Sequence, residues 1–192
     1  MKEIPFLFDA ESVRGILAGR KTQTRRIIKL PLIDRNGTGC EIAGCEVNSM
    51  IRQTGYDICK VQPGNHIWGK ETFKVVPVGR HIVYRADEPR TQAERTDHAF
   101  GPWKPSIFMP RNLSRITLEC TAVKIERLQD IIEADCIAEG IEAKQCFADG
   151  DGHSKLMGPI WAYQNRWEQI NGKGSWTKNP WVWCYEFRKL KP

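Results

Sequence analysis

The sequence has no long hydrophobic run. In its 192 residues, no stretch approaches the roughly 18 to 20 consecutive apolar residues that a membrane helix needs. The N-terminus also lacks the apolar core of a secretory signal peptide. We therefore expect a cytoplasmic protein without a membrane partner.

The motifs of common metal and nucleotide sites are also missing. The sequence has no CxxC pair and no HExxH segment. The spacing of Cys40, Cys45, Cys59 and His66 does not match a zinc site. The "GTG" at 37–39 is not followed by the helical pattern that a phosphate-binding loop requires. We expect neither a metal nor a cofactor.

The cysteines do not form a recognisable disulfide pattern. There are seven of them, an odd number at irregular spacing, which argues against a disulfide framework. We predict that most are small buried hydrophobic residues. The apolar fraction of 41% and the charged fraction of 27% are those of an ordinary globular protein, and the length fits a single domain.

Positive charge is concentrated at the two ends of the chain. The net charge is +6, and residues 1–30 hold seven Lys/Arg against three Asp/Glu, while residues 152–192 hold seven against two. If the ends meet in space, they form a positive surface of the kind that binds nucleic acid. A solvated basic surface without a ligand is the alternative.

Short runs rich in β-branched and aromatic residues recur between turn-forming residues. Their alternation of apolar and polar residues predicts strands. The predicted strands cover residues 4–8, 65–76, 80–86, 114–128 and 180–187. This pattern indicates a mostly β protein with flanking helices, in the α+β class.

Two of the flanking helices are predicted near the chain ends. The first covers residues 10–18, where Asp9 can cap the N-terminus and Gly19 can take the left-handed conformation that ends a helix. The other is predicted at residues 160–170 from an apolar stripe at helical spacing.

A further helix is predicted to begin at "DIIE", with Asp130 as its N-cap and Glu133 as the capping-box partner. It should end before Gly140, which places Glu139 at its last position. The negative end of the helix dipole would favour a protonated carboxyl there, as a general acid requires. The alternative is a solvent-exposed glutamate at a helix end.

The segment "GRKTQTRR" at 19–26 follows the first helix, and its cations are Arg20, Lys21, Arg25 and Arg26. They could be solvated residues at a helix end, where the dipole favours cations, or a phosphate-binding patch. A buried lysine among cations could instead activate a hydroxyl such as that of Thr24. In a regular strand Lys21 and Thr24 would face opposite ways, so their cooperation requires a turn or bulge just after Gly19.

The chain has seven tryptophans. Most are expected to anchor the core or the loops, because large aromatic residues dominate burial. Trp68 and Trp103 border polar loops, and they are candidates for stacking on a nucleobase.

Five segments are distinctive when taken together: "ILAGRKTQTRR", "PGNHIWGKETF", "YRAD", "WKPSIFMPRNLSRITLECTAVKIERLQDIIEADCIAEGI" and "NPWVWCYEF". They resemble the ASCH family of the PUA-like superfamily. The resemblance implies a small PUA-like β-barrel with flanking helices, and a cleft between the basic segment and the helix of Glu139. It also implies one domain over residues 1–192, with insertions near 31–60, 87–112 and 143–179.

Compact members of this family are amidohydrolases that remove the acetyl group of N4-acetylcytidine. By motif position, the resemblance implies a catalytic set of Lys21, Thr24 and Glu139. Thr24 would be the nucleophile, Lys21 would activate it, and Glu139 would handle the proton of the leaving amine. The expected partner is RNA or a pyrimidine nucleoside.

The binding residues expected around this set are Arg20, Arg25, Arg26, Trp68 and Trp103. Two other functions stay open from the sequence. A non-catalytic RNA-binding module would use the same cleft and the basic chain ends. A metal-independent ribonuclease would use the cations to stabilise a phosphoryl transition state, although the four histidines are scattered along the sequence.

Overall fold

The computed structural model describes residues 2–29, 59–76, 81–87, 102–142 and 158–190, and the backbone of four short strands at 32–33, 39–40, 145–148 and 154–157. The strands are β1 (Glu3–Leu7), β2 (Gln23–Ile27), β3 (Leu32–Ile33), β4 (Gly39–Cys40), β5 (His66–Lys70), β6 (Phe73–Val76), β7 (His81–Tyr84), β8 (Thr117–Arg127), β9 (Gln145–Ala148), β10 (Ser154–Met157) and β11 (Trp181–Lys189). The α-helices are α1 (Ala10–Leu17), α2 (Glu133–Ala138) and α3 (Pro159–Asn171), and short 3-10 turns lie at Arg85–Asp87, Ser106–Phe108, Arg111–Leu113 and Leu128–Asp130.

The main sheet has five strands in the order β1-β5-β8-β11-β2. The β1–β5 pair is parallel and the other three pairs are antiparallel. β8, at 11 residues, is the central strand, and alternate residues such as Leu118 and Cys120 are fully buried. The remaining strands form three separate pairs, β3–β4, β6–β7 and β9–β10.

The mixed α+β class predicted from the sequence is confirmed. The barrel is not, because β1 and β2 are the two edges of the sheet and it does not close within the described residues. The two edge strands do not pair through their backbones. They are connected by a side chain, because the Arg26 guanidinium donates to the Leu7 carbonyl at 2.5 Å. A groove therefore runs between the edge strands.

Most of the predicted strands are confirmed, with two differences. The run at 65–76 forms two strands, because the chain leaves the main sheet at Glu71 and β6 then pairs with β7. β2 was not predicted, since "QTRRI" reads as polar. Its first three residues are buried nonetheless, because Arg25 pairs with Glu126 and Glu139, which lie 101 and 114 positions away along the chain.

The predicted helices at 10–18 and 160–170 are confirmed as α1 and α3. Asp9 caps α1 as expected, with its Oδ1 accepting the Ser12 N–H at 3.0 Å. The capping box predicted for α2 is wrong. The backbone is extended at Ile132, so Asp130 belongs to the preceding 3-10 turn, and the Asp135 carboxylate accepts the Ile132 N–H.

Two clusters of buried residues fill the molecule. The larger lies between the main sheet and α1, and includes Val13, Ile16 and Ile67. The smaller packs α2 and α3 on the end of the sheet, around Leu128 and Trp167. The prediction of buried cysteines is confirmed for the four whose side chains are described, which are Cys59, Cys120, Cys136 and Cys184.

Within the described residues, no helix is long and apolar enough to cross a membrane. The predicted insertions are described only in part. Most of 31–60 and residues 88–101 lie outside the described residues. The described part of 143–179 contains α3, which packs against α2.

Candidate functional site

A small cavity of about 130 Å³ lies where β2, α3 and the ends of α1 and α2 meet. We call it the Lys21 cavity. Its polar and charged lining residues are Asp9, Ser12, Lys21, Thr24, Arg25, Arg26, Glu139, Tyr163, Arg166 and Asn171. The structure thus brings together the three residues expected to be catalytic, Lys21, Thr24 and Glu139.

Lys21 lies in a short segment held between two helix ends. α1 and α2 each end at a glycine of positive φ, 73° at Gly19 and 89° at Gly140, which is the usual way to terminate a helix. The Lys21 N–H then donates to the Gly15 carbonyl of α1 at 3.0 Å. The next N–H, that of Thr22, donates to the last carbonyl of α2 at 2.8 Å.

The side chain of Lys21 passes between two glycines. A Cβ atom placed on Gly15 would lie 3.2 Å from the Lys21 Cβ, and one on Gly140 would lie 3.1 Å from it. Both distances are tighter than ordinary contacts. The absence of side chains at these two positions therefore gives the lysine its path into the cavity.

The Lys21 ammonium is held at the C-terminal end of α2. Its Nζ donates to Glu139 Oε2 at 2.6 Å and to the Glu139 carbonyl at 2.9 Å. The carbonyl at a helix end has no partner within the helix, so the lysine satisfies it. The two side chains are 4% and 6% exposed, which makes this a buried pair.

Burial is the main influence on Lys21. Removal from water disfavours the charged form, and this lowers the pKa of the Lys21 amine despite the opposing effect of the Glu139 carboxylate. Arg166 and Arg26 also lower it, because they are cations nearby. A lysine in such a setting is more readily deprotonated and can act as a base.

Arg25 fixes the other side of Glu139. The Arg25 Nη1 donates to Glu139 Oε1 at 3.3 Å, while its Nε donates to Glu126 Oε1 at 2.7 Å. Its Nη2 lies 3.1 Å from Asp135 Oδ2, and the side chain has no exposed surface. Arg25 is therefore occupied by carboxylates of the protein, and its contribution is to position Glu139.

Thr24 lies in β2, opposite Tyr185 of β11, and is 5% exposed. Lys21 comes before the start of β2, in the irregular segment after Gly19. Lys21 is therefore not bound by the alternation of side chains along the strand. As a result, Lys21 and Thr24 line the same cavity although three positions separate them.

The other predicted cations have different surroundings. Arg20 points to the surface and pairs with Glu142 at 2.7 Å, and it does not line the cavity. Arg26 lines the cavity, donates to the Leu7 carbonyl and lies over the rings of Phe6 and Phe8.

The two tryptophans expected to stack on a base are not at this cavity. Trp68 lies in β5, with the cations of Lys70 and Arg111 over its ring at 5.5 and 5.8 Å. Trp103 is covered by Lys74 and Arg85, at 4.4 and 5.0 Å from the ring centroid. Each of the two rings is thus in contact with cations of the protein.

Sequence reasoning missed the contribution of α3. Tyr163, Arg166, Trp167 and Asn171 recur at helical spacing and line the cavity from one face of this helix. The apolar stripe predicted the helix, but nothing in the sequence showed which surface it covers. Burial raises the pKa of Tyr163 well above its ordinary value, so its phenol stays protonated at neutral pH.

Arg166 fastens α3 to the start of α1. Its Nη2 donates to both carboxylate oxygens of Asp9, at 2.9 and 2.8 Å, and to the Ser12 hydroxyl at 3.3 Å. Its Nη1 pairs with Glu11. Part of the predicted insertion at 143–179 therefore folds over the site and covers it.

No family model and no curated protein matches this chain. Among solved structures, protein EF3133 from Enterococcus faecalis V583, described with the family model DUF984, is similar to it at a TM-score of 0.41 and 9% sequence identity. The similarity covers 99% of this chain and 81% of the other. At that level it supports no conclusion about function.

Proposed function

We propose that the protein is an amidohydrolase that removes the acyl group from an N4-acylated cytosine, as in N4-acetylcytidine. The observation that carries the proposal is the buried Lys21–Glu139 pair, which lines one cavity with the Thr24 hydroxyl. The proposal includes membership of the ASCH family and a relation of the open sheet to the PUA-like barrel.

The size of the Lys21 cavity supports a single-ring substrate. Its volume of about 130 Å³ is comparable to the roughly 150 Å³ of an engineered cavity that takes up benzene. A group about the size of one ring therefore fits, and the rest of the substrate has to remain at the mouth. Most of its described lining residues are polar or charged, which suits a substrate with several hydrogen-bonding atoms.

In the first half of the reaction, the neutral Lys21 amine takes the proton of the Thr24 hydroxyl. The Thr24 oxygen attacks the acetyl carbonyl carbon and forms a tetrahedral intermediate. Arg26 lines the cavity and supplies positive charge for the oxyanion. The proton then passes through the Lys21–Glu139 pair to the N4 nitrogen, the C–N bond breaks, and cytidine leaves.

In the second half, water replaces the nucleoside. The same pair removes a proton from the water as its oxygen attacks the acetyl ester on Thr24. The ester bond breaks, the Thr24 oxygen regains a proton, and acetic acid is released. The sum is hydrolysis of one amide with one water, and the chain's residues return to their starting state.

The experiment is to incubate the purified protein with N4-acetylcytidine and a metal chelator, and to follow cytidine by chromatography. We expect release by the wild type and none by Lys21→Ala. Lys173→Ala, which removes an exposed lysine in the turn after α3, should retain full activity. Equal rates for Lys21→Ala and the wild type would falsify the proposed role of the pair.

A second candidate is a non-catalytic RNA-binding module, which is favoured by the cations Arg26 and Arg166 at the cavity. It predicts no cytidine release by any variant, together with binding of single-stranded RNA that weakens steeply with added salt. Turnover by the wild type that Lys21→Ala abolishes decides against it.

A further inference from the structure

A second, larger opening adjoins the Lys21 cavity. It has a volume of about 470 Å³ and lies between β1 and β2, the edges of the open sheet. We call it the edge groove. Ile4, Pro5 and Phe6 line it from β1, and Trp183 and Tyr185 line it from β11. One side of the groove is therefore apolar and aromatic.

The edge groove and the Lys21 cavity share the lining residues Leu7, Arg26 and Ile27. Leu7 and Ile27 are 45% and 40% exposed, although both are large apolar residues. They form an apolar rim between the two openings. A molecule that leaves the mouth of the cavity therefore meets the groove across this rim.

The charged side chains that line the edge groove are all cations. Arg26, Lys29 and Lys60 line it, and none of its described lining residues is acidic. Lys29 and Lys60 are exposed. Trp183 and Tyr185 are buried, at 8% and 5% exposure, so the accessible apolar wall is that of β1. A positive groove with an apolar wall suits single-stranded nucleic acid, whose phosphates contact cations and whose bases pack on apolar surface.

Because the Lys21 cavity is small, most of a nucleotide substrate has to lie outside it. If a pyrimidine ring fills the cavity, the ribose and its phosphates have to lie outside it. Arg26 stands between the two openings and is the first cation that such a phosphate would reach.

We propose that the edge groove binds the nucleotide next to the target base in a single RNA strand. Lys29 and Lys60 contact its phosphate, and its base packs on the apolar side formed by β1. The inference rests on the proposed function, since it names the substrate of that same site as a polynucleotide and not a free nucleoside.

The test compares three substrates: N4-acetylcytidine, its 5′-monophosphate, and a trinucleotide with the modified residue in the middle. We expect the kcat/KM of the trinucleotide to exceed that of the nucleoside by about tenfold or more. The double variant Lys29→Ala/Lys60→Ala should lose this advantage and keep the nucleoside rate. Lys173→Ala/Lys178→Ala removes the same charge from an exposed turn and should keep the advantage.

The outcomes separate the groove from the chemistry. Equal kcat/KM for nucleoside and trinucleotide would overturn the groove assignment while leaving the hydrolase in place. A monophosphate that gains as much as the trinucleotide would overturn the assignment to a strand. Retention of the advantage in Lys29→Ala/Lys60→Ala would overturn the role of the two lysines.

If no substrate is turned over, the hydrolase proposal fails. The groove assignment is then tested by measuring the affinity for the trinucleotide. Calorimetric titration of the trinucleotide should then show about tenfold weaker affinity for Lys29→Ala/Lys60→Ala than for the wild type. The slope of log affinity against log salt should fall by about 0.7 for each lost phosphate contact. Equal affinities and equal slopes would overturn the inference, and would point to another occupant such as an extended peptide on the strand edges.

Discussion

Lys21 owes its setting to contacts that are distant in sequence. Its ammonium bonds to Glu139, 118 positions away, and its stem passes between two glycines that belong to different helices. The charged residues of the segment therefore have distinct tasks. Lys21 is buried in the cavity, Arg25 positions Glu139, and Arg20 lies at the surface.

The lowered pKa of Lys21 predicts a pH dependence of the proposed activity. Burial disfavours the protonated amine, so the neutral base becomes available below the ordinary lysine pKa of about 10.4. We expect kcat/KM for N4-acetylcytidine to rise about tenfold per pH unit and to level off below that value. A pH titration of initial rates measures this. A rate independent of pH, or one still rising at 10.4, would contradict the assignment of Lys21 as the base.

The buried Lys21–Glu139 pair predicts a large loss of stability when one of its charges is removed. Glu139→Gln leaves Lys21 buried without its carboxylate, although Arg25 keeps Glu126 and Asp135. Breaking a buried pair costs about 3–5 kcal/mol. Glu142→Gln is the matched control, because Glu142 pairs with Arg20 at the surface, where a salt bridge contributes less than about 1 kcal/mol. Urea denaturation measures both. A similar small loss in the two variants would show that the buried pair is not important for stability.

At the scale of elements, α1 and α2 end in the same glycine motif, yet only one of the two glycines touches the site. A side chain at Gly19 meets nothing within 4 Å, whereas one at Gly140 meets Lys21. Substitutions at the two glycines therefore distinguish the effect of backbone strain, which both would cause, from the effect of crowding Lys21, which only Gly140 would cause.

We predict that Gly19→Ala and Gly140→Ala both lose about 1–2 kcal/mol of stability, because alanine is strained at positive φ. Only Gly140→Ala should also reduce turnover, by displacing Lys21. Gly15→Ala crowds Lys21 without positive φ and should reduce turnover with little loss of stability. Thermal denaturation and initial rates for the three variants measure this. Unchanged turnover in both Gly15→Ala and Gly140→Ala would contradict the packing argument.

The sequence predicted the helices better than it predicted the polar strand. α1 was recognisable from its Asp9 cap and its terminating glycine, and α3 from its apolar stripe, because these are local features. β2 was not, because Arg25 becomes buried only once Glu126 and Glu139, more than a hundred positions away, lie beside it. The local sequence pattern reflects only secondary-structure propensity. In β2, ion pairs of the tertiary structure override that propensity.

For the molecule as a whole, the sequence predicted the α+β class, and the family resemblance implied a cleft between the basic segment and the helix of Glu139. It did not predict the open sheet, since the order of strands and the gap between β1 and β2 depend on packing between distant segments. The role of α3 was also out of reach, because the Arg166 contacts join residues more than 150 positions apart.

The two openings give the molecule a continuous surface. In the proposed function one ring of the substrate enters the Lys21 cavity, and the edge groove adjoins this cavity and is lined by cations. The open sheet is what makes this surface possible, because a closed barrel would pair the edges of β1 and β2 and remove the groove.

The most direct test of the central claim is the rate of cytidine release from N4-acetylcytidine by the wild type, Thr24→Val and Thr22→Val. Valine keeps the branched shape of threonine and removes the hydroxyl. Thr22 is exposed and lies two positions away, so its variant controls for the substitution itself. We expect Thr24→Val to lose activity by about a thousandfold or more and Thr22→Val to behave as the wild type. Equal activity of Thr24→Val and the wild type, or no release by any of the three, would contradict the central claim.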